Sequence, residues 1–279
     1  MSLYITSINS GSNGNCYHIA NEHEAVLVDA GLSCRETEKR MHKAGLKMDK
    51  VKALFISHEH GDHIKGVEGI VAKHNIPVYI TPKTFQHSRL RLNENQIRKF
   101  SAYQPVVIGG LSVLPFPKIH DASDPHSFVI TGNGVNVGVF TDLGKNCKHV
   151  IDNFKLCHAI FLEANYDDAM LENGRYPYHL KNRIRGGEGH ISNKQALALF
   201  VANRPAHMTH VLLSHLSKDN NDPQLALNMF LAHAGKTNII VASRDEASST
   251  YHITDTLHPF RRVPTSNPAQ PKAVQISLF

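Results

Sequence analysis

The sequence has no tryptophan, only four cysteines and no long apolar segment among its 279 residues. No run reaches the roughly 18 consecutive apolar residues that a membrane-spanning helix needs. The first fifteen residues also lack the basic and apolar blocks of a secretion signal. The cysteines show no CxxC spacing, and a chain of this length does not need disulfides to fold, so we expect them to be reduced and structural. These absences predict a globular, cytoplasmic protein with no membrane partner.

Positive charge and histidine are the two features present in excess. The formal net charge is +6 and the isoelectric point is near 9.1. Such a charge suits a polyanionic partner such as nucleic acid, although many basic proteins bind none. The 20 histidines direct attention to side chains with the spacing of metal ligands.

The order of apolar segments predicts two similar halves that meet near residues 105–120. In each half, short strands precede a strand that ends in a polar loop and is followed by a helix. One helix is expected to begin at Pro82 and to carry the basic run HSRLRLNENQIRK. Asn133-Gly134 predicts a hairpin turn. This order predicts an α/β protein with two sheets packed face to face and helices outside them.

The segment SHEHGDH contains four potential metal ligands, His58, His60, Asp62 and His63, directly after the apolar strand ALFIS. Alternate residues of an extended segment share one side, so His58 and His60 can face one point. Asp62 and His63, past the bend at Gly61, can face a second point. Imidazole and carboxylate groups without thiolate suit zinc, manganese or iron. The alternative is a polar loop that is rich in histidine and binds no metal.

Three further motifs continue this pattern in order: IHDA at His120, FTDLG at Asp142 and LSHLS at His215. Together with HxHxDH they resemble the metallo-β-lactamase fold, a four-layer αβ/βα sandwich, over residues 1 to about 255. The resemblance implies two divalent metal ions, zinc or manganese or else iron. One ion is implied to bind His58, His60 and His120, and the other Asp62, His63 and His215, with Asp142 bridging them.

A closer resemblance rests on the segments SGSNGN, DAGLS, SHEHGDH, HDASDP, TDLG, LEANYD, YPYHLKNRI, GHISN and LSHLSKDNN. Together they resemble the YycJ/WalJ branch of that superfamily, to which 5′ to 3′ exonuclease activity on DNA is ascribed. Asn13 and Cys16 stand in the opening loop where this branch leads us to expect smaller polar residues. The contribution of that loop to substrate binding therefore stays open.

Two divalent ions suit phosphodiester hydrolysis. Roughly 3.5 to 4 Å apart, they share a bridging water, lower its pKa toward about 7 and clamp the phosphoryl oxygens during in-line displacement. Asp62 is the ligand that we assign to catalysis. The protein must still orient its ligands and protonate the leaving oxygen.

The segment GGEGHISNKQALALF places a glycine-rich turn before a helix, with Ser192 as the N-cap, and exposed amides there can bind phosphate. His190 lies one loop upstream of the His215 strand, where phosphodiesterases of the superfamily are similar in placing a histidine that contacts phosphate and donates a proton. Lys218 and Asn220 are further candidate phosphate contacts. The alternatives are a capping or core-edge histidine and a solvated loop.

The segment YPYHLKNRIRGG combines basic and aromatic side chains close to His190: Tyr176, Tyr178, Lys181, Arg183 and Arg185. Such a combination fits a groove that follows a nucleic-acid backbone and stacks on its bases. It fits an ordinary basic helix surface equally well.

Residues 257–279 are rich in proline and polar side chains and predict a flexible tail behind a hydrolase domain at 1–256. The tail ends in QISLF, which resembles the peptide with which bacterial DNA polymerases and repair proteins hold the sliding clamp. Gln275 would contact the rim of a pocket on the clamp, and Leu278 and Phe279 would fill it. The alternative is a strand that folds back on its own sheet.

The sequence therefore favours a metal-dependent phosphodiesterase acting on DNA, a 5′ to 3′ exonuclease in replication-linked repair. The alternative enzyme is a small-molecule hydrolase of a cyclic phosphate, thioester or lactone, because no large nucleic-acid-binding insertion is present. The alternative from another class is a non-catalytic adaptor tethered to the clamp. Such an adaptor would have no physical need for seven ligands.

Overall fold

Residues 2–255 are described by a computed structural model, and within that range the chain forms two seven-stranded sheets. The first sheet has the spatial order β14 (Tyr251–Thr254), β1 (Ser2–Asn9), β2 (Cys16–Ala20), β3 (Ala25–Val28), β4 (Val51–Phe55), β5 (Val78–Ile80) and β6 (Ile97–Lys99). The second has the order β13 (Asn238–Val241), β12 (His210–Ser214), β11 (Ala159–Glu163), β10 (Val135–Phe140), β9 (His126–Gly132), β8 (Leu111–Pro117) and β7 (Val106–Ile108).

The helices of the described range follow the strands as short elements. They are α1 (Cys34–Lys43), α2 (Gly61–Ile64), α3 (Val67–His74), α4 (Pro82–Ser88), α5 (Lys148–Phe154), α6 (Asp168–Asn173), α7 (Tyr178–Arg185), α8 (Asn193–Asn203) and α9 (Pro223–Leu231), with 3-10 turns at Met48–Lys50 and Glu94–Gln96. Ser33 caps α1 as predicted, because its side chain accepts a hydrogen bond from the Glu36 amide. Between residues 2 and 255, no helix is long and apolar enough to cross a membrane.

Three hydrophobic layers hold the sheets and helices together. Phe55, Phe128 and Phe161 belong to the layer between the two sheets. A second layer, including Met41 and Ile70, lies under α1 and α3, and a third lies under α5, α8 and α9. The arrangement is the predicted αβ/βα sandwich, since each sheet buries one face on the other sheet and one on helices.

Parallel pairing brings the polar strand ends together. β3, β4, β5 and β6 pair in parallel, and so do β10, β11, β12 and β13. The carboxyl ends of parallel strands lie on the same edge of a sheet, where ligands bind in open α/β sheets. Asp29, Ser57, Asp142, Glu163 and His215 all lie at such ends.

One detail of the sequence prediction was wrong. The predicted basic helix ends at Ser88, because Arg89 adopts φ 57° in the left-handed region, and the rest of the run forms a loop, the second 3-10 turn and β6. The halves meet between β6 and β7, close to the predicted position, and β14 returns to the first sheet beside β1. The hairpin is confirmed, with Asn133 and Gly134 both at positive φ. The predicted tail and its clamp-binding peptide lie outside the described residues.

His18 on β2 makes stability sensitive to pH. Its side chain is buried, and its Nδ1 has no hydrogen-bond partner within residues 2–255. Burial, and to a smaller extent the charge of Lys50, lowers the pKa of His18 from 6.5 to about 4. Between these values the unfolded chain takes up a proton that the folded chain does not, so stability falls as the pH falls through this window.

We expect His18→Gln to remove up to about 3 kcal/mol of that acid-induced loss of stability. The measurement is the free energy of unfolding from denaturant titrations at about pH 7 and about pH 4.5. His233→Gln, at an exposed histidine, is the matched control and should lose as much stability as the wild-type chain. Equal losses in all three proteins would contradict the assignment to His18.

Candidate metal centre

The first group of candidate ligands is His58, His60 and His120. One ring nitrogen of each lies within 4.8 Å of the others. His120 Nε2 lies 3.3 Å from His60 Nδ1. Two of these residues are carried by the loop between β4 and α2, and His120 lies in the loop between β8 and β9. The structure therefore brings together the three ligands predicted for one ion.

The second group is Asp62, His63 and His215. Asp62 Oδ2 lies 3.7 Å from His63 Nε2 and 3.5 Å from His215 Nε2. His215 directly follows β12, whereas Asp62 and His63 belong to the short helix α2. The bend at Gly61 separates this group from the first one, as the spacing of the motif predicted.

Asp142 lies between the two groups. Its Oδ2 is 3.1 Å from His63 Nε2, and its Oδ1 is 3.4 Å from His215 Nδ1 and 3.8 Å from His120 Nε2. Its side chain is only 2% exposed, so its charge is compensated by its neighbours rather than by water. This is the position predicted for a bridging carboxylate.

The backbone is held in an unfavourable conformation at three strand ends of this centre. Asp29, Asp142 and His215 have φ angles of 60°, 54° and 57°. Left-handed backbone is uncommon for residues with a side chain and persists where the surrounding structure requires it. Here it turns each side chain from the end of its strand toward the cluster.

Each of four candidate imidazole ligands makes a hydrogen bond through Nδ1 that leaves Nε2 on the side of the cluster. The Nδ1 contacts are His58 with Ser57 Oγ at 2.9 Å, His63 with Asp29 Oδ2 at 2.7 Å, His120 with the Gly189 carbonyl at 2.9 Å, and His215 with Glu163 Oε1 at 3.0 Å. Ligand histidines are oriented in this way by carboxylates and carbonyls that accept the second ring proton. The pattern is typical of a metal centre.

The atoms of the centre fit divalent cations. His58 Nε2, His215 Nε2 and Asp142 Oδ2 are buried and have no hydrogen-bond partner within the described range. Burial lowers the pKa of His58 well below its usual value and that of His120 to about 4, which keeps these imidazoles neutral as ligands must be.

The second group shows a shortage of positive charge. Burial alone would lower the pKa of His63, but Asp142, Asp29 and Asp62 outweigh it and raise that pKa to about 10. His215 follows the same pattern: burial acts to lower its pKa, and Asp142 with other carboxylates raises it well above the usual value. Without a metal, protons on these rings balance the carboxylates. Bound cations would supply that charge instead, so the donor set suits divalent metal.

Asp29 and Glu163 belong to the centre, although the sequence did not identify them individually. Asp29 accepts hydrogen bonds from the Ser57 amide, the Ser57 hydroxyl and His63 Nδ1, at 2.7 to 2.8 Å. Glu163 is fully buried, and its Oε1 accepts from His190 at 2.9 Å and from His215 at 3.0 Å. Burial would raise the pKa of Glu163, but His190 and His215 lower it to about 2. The signal in both cases was a carboxylate at the end of an apolar strand.

A cavity of about 380 Å³ opens onto the centre. Its lining includes Ser12, His60, Asp62, Asp142, Tyr176, Arg183, His190, His215 and Ser217. Ligand atoms, a further histidine and a cation therefore face the same open space. A molecule bound in this cavity would contact the candidate metal ligands directly.

Of the predicted phosphate contacts, the structure brings His190 to the cavity and leaves Ser192, Lys218 and Asn220 out of its lining. Ser192 is the predicted N-cap: its hydroxyl accepts from the Gln195 amide, and the residue is buried. Asn220 is also buried, and Lys218 is exposed after β12. The side chains of Ser192 and Asn220 are therefore shielded from solvent, and their contact with phosphate stays a prediction.

Two facing sheets with this cluster at their strand ends define a metal-dependent hydrolase of the metallo-β-lactamase class. The family model described as the beta-lactamase superfamily domain matches residues 24–216. The chain belongs to this family. This class is that of a metal-dependent hydrolase.

Individual relatives agree with this assignment. The chain is 35% identical over 230 residues to exodeoxyribonuclease YycJ of Bacillus anthracis, covering 81% of this chain and 87% of the relative. It is 29% identical over 222 residues to exodeoxyribonuclease WalJ of Streptococcus pneumoniae, covering 78% and 82%. Its fold is similar to that of the metallo-β-lactamase fold protein YhfI from Bacillus subtilis, with a TM-score of 0.70, 16% identity and coverage of 90% and 100%. The predicted fold and the resemblance to the YycJ/WalJ branch are confirmed.

Asp29→Asn is expected to weaken metal binding by roughly tenfold to a hundredfold. Asparagine tolerates the positive φ at this position, but its neutral amide holds the Nδ1 proton of His63 and the Ser57 hydroxyl less strongly. Competition between the protein and a chromogenic chelator for zinc measures the affinity. Asp49→Asn, in the exposed 3-10 turn, is the control and should bind as the wild-type chain does. Unchanged affinity in Asp29→Asn would contradict its orienting role.

Proposed function

We propose that this chain is a metal-dependent phosphodiesterase that degrades DNA from the 5′ end. The observation that carries the proposal is the position of His190. It faces the same cavity as the candidate ligands Asp62, Asp142 and His215, and a buried carboxylate holds its ring. The similarity to relatives named exodeoxyribonucleases supports DNA as the substrate.

Seven residues would hold two divalent ions, zinc or manganese or else iron: His58, His60, Asp62, His63, His120, Asp142 and His215. When bound, the ions supply positive charge at the phosphoryl oxygens and lower the pKa of water so that hydroxide is available near neutral pH. Asp62 lies at the cavity wall, with its Oδ2 3.7 Å from His63 Nε2 and 3.5 Å from His215 Nε2.

His190 is proposed to protonate the leaving oxygen. Its Nδ1 donates to Glu163 Oε1 at 2.9 Å, which leaves Nε2 as the ring atom available to the cavity. Glu163 is held in turn by the Leu143 amide at 2.6 Å, so the ring has a fixed orientation. A protonated His190 can then transfer its Nε2 proton to the departing oxygen while Glu163 compensates the charge.

The rim of the cavity has the chemistry to follow a nucleic-acid strand. Arg183 lines the cavity, is 58% exposed and pairs with Asp121 at 2.5 Å. The Tyr176 hydroxyl donates to Asp219 at 3.0 Å, and Tyr178 at the start of α7 is 72% exposed. A fixed aromatic, an exposed aromatic and a cation suit base stacking and phosphate contact.

A small phosphodiester substrate is the second candidate. The observation that favours it is the size of the cavity, since about 380 Å³ is within the range of pockets that bind a single small molecule. A cyclic phosphate would contact the same ions and the same His190. The substrate therefore has to be determined by comparing rates.

The test compares DNA, RNA and a small ester on one preparation. Duplex and single-stranded DNA, labelled at the 5′ or the 3′ end, and matched RNA are incubated with the full chain, manganese or zinc. Early release of a labelled nucleotide from 5′-labelled DNA, abolished by Asp62→Ala, is the expected result. Rapid hydrolysis of a cyclic nucleotide with no release from DNA would assign the chain to the second candidate.

The C-terminal peptide is proposed to dock on the bacterial sliding clamp through Gln275, Leu278 and Phe279. Tethering would raise the local concentration of the enzyme at replicating DNA. The chain lacking residues 275–279 is expected to lose roughly tenfold or more in affinity for purified clamp while keeping its hydrolysis of a small ester. Surface plasmon resonance measures the affinity, and equal binding by both chains would contradict docking through this peptide.

A further inference from the structure

We propose a second kind of metal site, formed by residues other than the seven candidate ligands of the centre, in which Cys34, Glu38 and His74 bind a divalent ion such as zinc. One potential ligand atom of each side chain lies within 4.8 Å of the other two. All three residues are partly exposed, so an ion can enter from solvent and water can complete its coordination. Thiolate, carboxylate and imidazole are all zinc ligands, and the thiolate favours zinc over harder ions such as magnesium.

Two helices hold the three donors in place. Cys34 and Glu38 are four residues apart on α1 and therefore share a face, and His74 is the last residue of α3. His74 Nε2 already lies 2.8 Å from Glu38 Oε1. A Cβ at Gly69 would lie 3.1 Å from the Cβ of Cys34, so the missing side chain at Gly69 permits the close approach of α3 to the thiol.

Binding exchanges a proton for the metal. Burial, and then the Glu38 carboxylate, raises the pKa of Cys34, so the metal-free thiol is protonated at neutral pH. On binding, the S–H bond is replaced by a metal–sulfur bond and one proton is released to solvent, with no change of oxidation state. The thiolate and the carboxylate balance the two positive charges of the ion, and neutral His74 contributes a nitrogen lone pair.

Lys73 is the competitor that the ion must displace. Its Nζ lies 2.7 Å from Glu38 Oε1, but its side chain is 59% exposed. Exposed ion pairs are weak because water and salt screen them. Removal of this lysine should therefore strengthen metal binding. Removal of a ligand should weaken it, so the two kinds of variant are expected to change the affinity in opposite directions.

The site would join two segments that shape the proposed catalytic centre. α1 begins shortly after Asp29, and α3 follows α2, which carries Asp62 and His63. An ion between Cys34 and His74 would cross-link these segments from outside the first sheet. Zinc bound there is expected to raise the melting temperature of the chain.

Cobalt(II) is the probe, because thiolate ligation gives an intense near-ultraviolet charge-transfer absorption that nitrogen and oxygen ligands do not. The seven candidate ligands of the main centre include no cysteine, so this absorption reports on a cysteine outside that centre. The full chain, freed of metal and titrated with cobalt, is expected to develop the band. Cys34→Ser should lose it, and Cys147→Ser, at the other partly exposed cysteine, should keep it.

Two further variants make the test independent of any folding defect in Cys34→Ser. His74→Ala should weaken the cobalt affinity that is measured from this absorption. Lys73→Met should raise that affinity by roughly two- to fivefold, which corresponds to the strength of an exposed ion pair. A wild-type chain without the band, or a band that survives in Cys34→Ser, would overturn the proposal. The readout is optical, so it stands whether or not the chain degrades DNA.

Discussion

Asp142→Asn is expected to reduce metal-dependent phosphodiester hydrolysis by roughly a thousandfold or more. The Asp142 oxygens lie 3.1 Å from His63 Nε2 and 3.4 Å from His215 Nδ1, within a nearly water-free environment. An amide offers one neutral oxygen where the two groups of ligands require an anionic group between them. The rate constant for hydrolysis of bis(p-nitrophenyl) phosphate at saturating manganese measures the effect without depending on how DNA binds.

Asparagine is the informative replacement because residue 142 has φ 54°, which asparagine adopts as readily as aspartate. The variant should therefore fold, as circular dichroism and the melting temperature can verify. Asp152→Asn, at an exposed carboxylate paired with Lys148, is the matched control and should keep full activity. Activity above about a tenth of the wild-type rate in folded Asp142→Asn would contradict a bridging position.

His190→Gln is expected to slow DNA cleavage by roughly a hundredfold to ten-thousandfold. Glutamine can still donate to Glu163 but cannot transfer a proton to the leaving oxygen. The same variant should lose far less activity on a nucleotide p-nitrophenyl ester, because p-nitrophenolate leaves without protonation. Parallel rate measurements on the two substrates separate proton transfer from phosphate binding.

His179→Gln is the control for this comparison, since His179 is an exposed histidine on α7 close to the cavity rim. It should leave both rates near those of the wild-type chain. An equal loss on DNA and on the activated ester in His190→Gln would contradict the role as proton donor. It would leave His190 as a residue that binds or positions the phosphate.

The cluster of candidate ligands was predictable because most of its members are close together in the sequence or close to the ends of apolar strands. Four of its residues occupy six consecutive positions, and the other three lie within three residues of the end of an apolar strand. Parallel strands must align their carboxyl ends, so residues far apart in sequence, such as Asp142 and His215, are brought to one edge. The sandwich follows from the same alternation of apolar strands and helices.

The remaining features depend on tertiary geometry. Which carboxylate accepts the Nδ1 proton of His63 or His215 is decided by contacts of Asp29 and Glu163 across strands, and no spacing in the sequence encodes them. The helix after Pro82 ended early because Arg89 adopts a left-handed backbone that local propensity does not reveal.

One measurement tests the account most directly: release of nucleotides from 5′-labelled DNA while the metal-free Cys34→Ser chain is titrated with manganese. That background removes the additional proposed site, so the metal count refers to the seven-ligand centre. The account predicts that release begins at the 5′ end, rises until two ions are bound per chain and is absent with Asp62→Ala. A chain that binds the metal and hydrolyses bis(p-nitrophenyl) phosphate but releases nothing from DNA would contradict it.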